Sequence, residues 1–208
     1  IKALKFYELL KSYSCEADLI ITPSFALEER LKKLGIVAST VPIGLENVLS
    51  PEMALKRDRL ILHAGQLDDT RKIRIIQLIA NNYKVMVHEI GRFSGKLDHP
   101  NVIKYRFNLL EKALEFCKKA SVGLVIEYRR AYTLSRIYYH VALLQPIVGQ
   151  GEGLWINEAN RLGISIYSID SLEYIFKNYE RFMAPLVGIR ECLKIPAVHE
   201  KLIYFLKK

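Results

Sequence analysis

The sequence predicts an α/β fold in which a mainly parallel sheet is covered by helices on both faces. From residue 59 onward, short apolar runs alternate with amphipathic stretches, the rhythm of repeated strand–helix units. The apolar runs are nearly continuous, which is typical of parallel strands buried on both faces. A chain of 208 residues is long enough to bury a substantial core.

Strands and helices of this region follow from periodicity and from the glycines and prolines between them. The predicted strands are 60–64, 83–88, 102–105, 122–126, 146–148 and 164–169. The predicted helices are 72–81, 110–117, 134–144 and 172–179. In each helix, apolar residues recur every three or four positions, which places them on one face.

The first 58 residues have a different organisation. Their predicted elements are a helix at 6–13, a strand at 18–22, a helix at 27–34 and a strand at 37–43. Gly35 is a natural helix stop. Gly44 and Pro51 mark an irregular connection, which is the best candidate for a domain boundary. We therefore divide the chain into residues 1–58 and 59–208.

Composition indicates a globular protein of a reducing compartment, and we expect it in the cytoplasm. Half of the residues are hydrophobic and a quarter are charged. No apolar run approaches the roughly 20 residues that span a bilayer, and no signal-peptide pattern is present. The three cysteines are far apart, and the five histidines form no metal-binding motif, so we predict neither disulfides nor a metal. The chain begins with Ile1 rather than methionine, which suggests a fragment or a processed chain.

The formal charge of +9 is unevenly distributed. Residues 1–58 carry eight basic and eight acidic side chains, whereas residues 71–136 carry fourteen and five. A concentrated basic region suggests an anionic partner such as a nucleoside diphosphate, a nucleic acid or an acidic lipid. The alternative is a set of solvated side chains on helix and loop surfaces.

The strongest local signal for such a partner lies at the start of the helix 134–144. Arg129, Arg130 and Arg136 surround this helix start, and Thr133 is a candidate N-cap. The free amide groups of a helix N-terminus and the helix dipole favour a diphosphate.

Three alternating glycines follow the strand 146–148 and precede another helix. At Gly149, Gly151 and Gly153 the backbone could approach a ligand closely. A plain strand-to-helix turn explains the same glycines.

Several segments together resemble the group 1 glycosyltransferases. The segments are 17–24, 41–46, 60–67, 101–105 and 136–148. These enzymes have the GT-B architecture, two Rossmann-like domains with the active site between them. The resemblance implies that residues 1–58 are a remnant of the N-terminal, acceptor-side domain. It also implies that residues 59–208 form the Rossmann-like domain that binds the nucleotide sugar.

The resemblance assigns donor-binding positions, which this chain matches in part. Gly65 stands at the glycine of the first turn. The arginine and lysine that face the diphosphate in the family correspond to Gln66 and Arg71. An arginine can grip a diphosphate by paired hydrogen bonds, so Arg71 is a plausible substitute. It is equally explained as a first-turn helix residue that faces water.

Other family positions differ. The two glutamates of the retaining enzymes correspond to Ala131 and Tyr139, and a family glycine corresponds to Leu144. Glu127 is the nearest carboxylate. It could accept hydrogen bonds from a ribose or sugar hydroxyl, or it could pair with the arginines at 129 and 130. The second interpretation is favoured.

The leading hypothesis is a glycosyltransferase, or its donor-binding portion, that transfers a sugar from a nucleotide-diphosphate sugar without a cofactor. Its acceptor would be a glycan, a lipid-linked sugar or a protein. The family-position changes suggest an alternative, a non-catalytic GT-B-like module that binds a nucleotide or a partner. Nucleic-acid binding is a third hypothesis, although the chain contains no recognisable nucleic-acid motif.

The C-terminal stretch carries an apolar helical stripe flanked by lysines. The stripe comprises Val198, Leu202, Phe205 and Leu206. It fits a helix that docks on a protein domain. An interfacial helix resting on anionic lipid would present the same stripe, so peripheral membrane contact is a second interpretation.

Overall fold

The computed structural model describes residues 12, 17, 19–46, 48–89, 96–106, 110–128 and 135–206. The strands are β1 (Ile21–Thr22), β2 (Ser39–Thr40), β3 (Asp58–Gly65), β4 (Lys84–Glu89), β5 (Val102–Tyr105), β6 (Ala120–Glu127), β7 (Ile147–Gly151) and β8 (Ile166–Tyr167). The helices are α1 (Phe25–Lys33), α2 (Pro51–Leu55), α3 (Thr70–Ala80), α4 (Leu110–Cys117), α5 (Ser135–Ala142), α6 (Leu154–Arg161), α7 (Leu172–Lys177), α8 (Tyr179–Cys192) and α9 (Ile195–Leu206).

The main sheet has six parallel strands in the order β5-β4-β3-β6-β7-β8. This confirms the predicted α/β fold, and the order is that of a Rossmann-like sheet. The chain winds outward from β3 in one direction and from β6 in the other. The carboxyl ends of β3 and β6 therefore border a crevice at the topological switch point, where open α/β sheets bind ligands.

Two apolar layers cover the sheet, as predicted. On one face, α3 and α7 pack on β3, β4 and β6, with Ile76 and Ile175 fully buried. On the other face, α5 and α8 pack around Trp155 of α6, which is 1% exposed. Helix α4 packs on the same face through Phe116. Burial of apolar surface on both faces is the main stabilising contribution to such a fold.

A buried carboxylate holds the N-terminal segment against the main sheet. Glu158 of α6 accepts hydrogen bonds from the Ser24 hydroxyl and the Ala26 amide, both at 2.9 Å. The Tyr138 hydroxyl of α5 donates to the same carboxylate at 2.6 Å. An anion at the start of α1 is stabilised by the helix dipole. This contact lies at the start of α1, where Ala26 is buried, whereas Leu34 at the end of the helix is exposed.

The connection before residue 58 is more ordered than the sequence suggests. It contains α2, and Leu45 exchanges backbone hydrogen bonds with Leu193 and Ile195. Arg57 donates to the carbonyl oxygens of Ala120 and Leu143. Together these bonds tie the connection to the ends of α5 and α8.

The remaining differences from the sequence prediction have local causes. The prediction assigned no helix to 180–192, where α8 lies with Pro185 inside it. Gly149 and Gly151 belong to β7, because the pairing of β7 with β6 continues to Gly151. The predicted helix at 6–13 lies outside the described residues, apart from Ser12.

Three helices end in the same hydrogen-bonded turn, and in each the closing residue has a left-handed backbone. In α1 and α6 that residue is Gly35 (φ 77°) and Gly163 (φ 73°), which confirms the predicted stop at Gly35. In α5 it is Leu144, with φ 51°. This turn satisfies carbonyl groups at the helix end, and glycine is its usual residue because a side chain disfavours the conformation.

Substitution of Gly163 by alanine should destabilise the protein modestly. An added Cβ would meet no atom within 4 Å, so the cost is conformational only, about 1 kcal/mol. The free energy of unfolding in urea measures it. A loss above about 3 kcal/mol would show that packing, rather than backbone conformation, dominates at this turn.

Candidate functional site

The candidate site lies at the switch point, where Gly65 ends β3 and Glu127 ends β6. The first turn of α3 follows the loop after β3. The start of α5 approaches from the other side, and its first turn carries Arg136. Four elements thus bring their polar residues to the carboxyl edge of the sheet.

A buried ion-pair network forms the base of this site. Glu127 is 1% exposed, and its Oε2 lies 3.4 Å from both Lys72 Nζ and Arg136 Nη2. Its Oε1 accepts a hydrogen bond from the Tyr128 amide at 3.0 Å. Lys72 also pairs with Asp68 at 2.8 Å. Charges buried this deeply are tolerated because they are paired.

Lys72 is the residue that the sequence prediction missed. Its side chain is 2% exposed. The register of α3 contains the signal, because Lys72 precedes the buried Ile76 and Ala80 by four and eight positions. A lysine on the buried stripe of a helix requires an acidic partner, which here is Glu127, 55 positions away.

The glycine at the end of β3 makes room for Arg136. A Cβ on Gly65 would lie 2.3 Å from Arg136 Nη1 and 2.6 Å from its Cζ. The guanidinium group therefore rests directly on the backbone of Gly65. No side chain could be added at Gly65 without displacing the cation that borders the crevice.

Arg71 lies at the surface of the same edge. Its guanidinium pairs with Asp69, the N-cap of α3, at 2.6 Å, and lies 4.1 Å from the ring centroid of Tyr128. The hydrogen bonds to Asp69 raise the pKa of Arg71, and the negative charge of Glu152 adds a smaller contribution in the same direction. Arg71 thus lies beside the residue that follows Glu127 at the end of β6.

The other predicted site residues have different surroundings, and some of them lie outside the described residues. Gln66 follows Gly65 and is half-buried. Gly151 is required by packing, because a Cβ there would lie 1.8 Å from the Glu127 carbonyl oxygen. Gly149 is also closely packed, and Gly153 is the N-cap of α6 with φ 126°. Arg129, Arg130 and Thr133 lie outside the described residues.

The sequence analysis favours an ion-paired role for Glu127, and the structure gives partners for this carboxylate. The described partners of its carboxylate are Lys72 and Arg136 and the amide of Tyr128. The expected pairing with arginines at 129 and 130 falls outside the described residues. Glu127 is thus ion-paired, but with Lys72 and Arg136, which the sequence analysis did not name as its partners.

Two buried histidines lie beneath the network. His63 of β3 donates from Nδ1 to the Leu124 carbonyl oxygen at 3.1 Å. Burial, and then the positive charge of Arg136, lowers the pKa of His63 to about 3. Burial also lowers the pKa of His140 to about 4, and its Nδ1 lies 2.7 Å from Gln145 Oε1. Both rings are neutral at pH 7, so they add no charge to the site.

Several cations in the basic stretch are engaged in ion pairs. They are Arg71, Lys72, Lys118 and Arg136. Within the described part of the chain, no group of three or more histidine, cysteine or acidic residues is arranged to hold a metal ion. No described helix combines the length and the apolar character needed to cross a membrane.

Comparison with known proteins gives no match, either to a family model or to a curated protein. The function is therefore inferred from the geometry of the crevice.

Replacing Lys72 by methionine should destabilise the fold by about 3 kcal/mol, because it leaves Glu127 buried with one cation fewer. Adding Glu127→Gln should recover part of that loss. Arg74→Met, an exposed change on the same helix, is the control and should be nearly neutral. Urea unfolding of the wild type and the three variants measures these losses. Equal losses for Lys72→Met and Arg74→Met would contradict the buried pair.

The stability should fall as the pH is lowered from 6.5, because unfolded histidine, with a pKa of about 6.5, binds protons that folded His63 and His140 do not. His63→Gln should reduce the slope between pH 6 and pH 4 by up to about 1.4 kcal/mol per pH unit. Asn82→Gln, an exposed substitution that removes no titratable group, should leave the slope unchanged. Urea unfolding at each pH tests this, and an unchanged slope for His63→Gln would count against a neutral buried ring.

Proposed function

We propose that the chain binds a nucleoside-diphosphate sugar at the carboxyl edge of the sheet and transfers the sugar to an acceptor. One observation carries the proposal. The guanidinium group of Arg136 is fixed on the backbone of Gly65, at the switch point where parallel sheets receive phosphorylated ligands. The diphosphate would lie beside this cation.

The residues around the crevice have separate roles in this proposal. Arg136 faces the diphosphate, and the exposed Arg71 adds a second cation on the same edge. Lys72 and Glu127 are too deeply buried to touch the ligand, so they act as positioning residues that hold Arg136. A guanidinium group held by buried charges keeps its orientation without an entropic cost at the moment of binding.

Sugar transfer needs this electrostatic support. The bond between the anomeric carbon and the diphosphate oxygen breaks, and a bond from that carbon to an acceptor oxygen forms. The acceptor loses a proton, and the leaving nucleoside diphosphate gains negative charge. Fixed cations stabilise that developing charge more in the transition state than in the bound donor.

A non-catalytic nucleotide-binding module is the second candidate, and one observation favours it. Both carboxylate oxygens of Glu127 are engaged, by the two cations and by the Tyr128 amide. Tyr139, at the second glutamate position of the resembling family, is half-buried beside the thiol of Cys117. The candidates differ in turnover, because a module binds the donor and leaves it intact.

Isothermal titration with UDP-, GDP- and ADP-sugars tests the site. We expect saturable binding of one nucleotide class by the wild type and at least a tenfold loss in Gly65→Ala, because its methyl group displaces Arg136. Gly163→Ala is the matched control, since that glycine also has a positive φ but open space around it. Equal affinities of the two variants, or no binding by the wild type, would refute the site. A sugar-release assay then separates the transferase from the module.

A further inference from the structure

A concave surface adjoins the candidate site on the face of the sheet that α4 and α5 cover. It is a cavity of about 450 Å³, within the size range of small-molecule sites. Ala64 and His88, at the ends of β3 and β4, form its inner edge. The cavity is therefore one residue away from Gly65, on which Arg136 rests.

The walls of the cavity are mostly apolar and come from three separate parts of the chain. The apolar lining includes Ile43, Leu45, Val48, Leu114, Ala142 and Leu143. The first three belong to the connection before β3, Leu114 belongs to α4, and the last two belong to the end of α5 and its cap. A concave surface of this kind gains free energy by removing an apolar group from water.

The polar groups of the cavity have distinct positions. Arg136 and His88 are both about nine-tenths buried and lie at the sheet edge, whereas Glu46 is exposed. Burial lowers the pKa of His88, so its ring is uncharged at neutral pH. Tyr138 and Tyr139 complete the wall near Arg136. The inner end thus presents a cation beside an uncharged imidazole, and the remainder of the cavity is apolar.

Arg136 belongs to both sites. It contacts the backbone of Gly65 in the crevice and also lines the cavity. A ligand in the cavity would therefore place its polar end next to the diphosphate position. This is the arrangement that a two-substrate transfer reaction needs, since the reacting groups must meet.

We infer that this cavity binds the apolar portion of the acceptor, an amphiphile whose polar or anionic end lies beside Arg136. The inference rests on the proposed function, because it names the acceptor class of the same reaction. It selects the lipid-linked acceptor among a glycan, a lipid-linked sugar and a protein. A glycan would leave the apolar lining without a partner, and a folded protein could not enter a cavity of this size.

Three probe molecules separate the contribution of an alkyl chain to the binding affinity from the contribution of an anionic group. Titration of the wild type with octyl phosphate, octanol and inorganic phosphate should give affinities that decrease in that order, with octyl phosphate at least tenfold tighter than inorganic phosphate. Octanol binding as tightly as octyl phosphate would overturn the role of the cation. Octyl phosphate binding no tighter than inorganic phosphate would overturn the apolar site.

Val48→Phe fills the cavity and should weaken octyl phosphate at least tenfold. Val37→Phe is the matched control, since Val37 is 88% exposed and does not line the cavity, and it should bind as the wild type does. Leu114→Phe fills the same cavity from the opposite wall if the first variant folds poorly. Unchanged binding in a folded filling variant would refute the assignment.

The two proposals can fail separately. Nucleotide binding should be unchanged in Val48→Phe, because the proposed diphosphate position lies beside Arg136 and Arg71, whereas Val48 lines the cavity. If the wild type binds octyl phosphate in a Val48-dependent way but binds no nucleotide, the sugar-transfer proposal fails and the apolar-ligand site stands. If nucleotides bind and octyl phosphate does not, the donor site stands and the acceptor assignment fails.

Discussion

The burial of the Glu127 carboxylate at the topological switch point is the constraint on which the site depends. Removing a carboxylate from water costs several kcal/mol unless cations and hydrogen bonds compensate it. Lys72 and Arg136 supply that compensation from helices on opposite faces of the sheet. The first turns of α3 and α5 are therefore held at fixed positions relative to β6. Arg136 reaches the crevice as a consequence of this pairing.

A second buried carboxylate connects the rest of the molecule to this arrangement. Glu158 holds the start of α1 and the hydroxyl of Tyr138, and Tyr138 lies on α5 two residues after Arg136. The N-terminal segment, the cavity and the crevice thus share α5 as a common wall. Several cations of this basic chain likewise bind groups within the protein itself. Arg57 and Arg190, for example, satisfy carbonyl groups near the end of α5, where the helix dipole favours positive charge.

Three positions that the resemblance to glycosyltransferases singles out have different physical settings in the structure. Leu144, where the resembling family carries a glycine, has the left-handed backbone that the helix end requires, so the turn forms with a leucine there. Tyr139, where the retaining enzymes of the resembling family carry a glutamate, lines a mostly apolar cavity. At the first turn, Gln66 stands where the resembling family carries a cation, while Arg136 lies at the same edge of the sheet. A pattern of motif losses therefore does not by itself describe the charge of the crevice.

Local patterns in the sequence determined the α/β class, the parallel main sheet and most of its elements, because periodicity depends on neighbours within a few positions. They also placed Gly65, Arg71 and Arg136 at the edge of the sheet. The tertiary structure alone decided the partners of Glu127, which are 55 positions before it and 9 positions after it. It likewise decided that Gly151 serves strand packing and that α5 borders a cavity. Such contacts depend on strand order and helix register, and no local spacing encodes either.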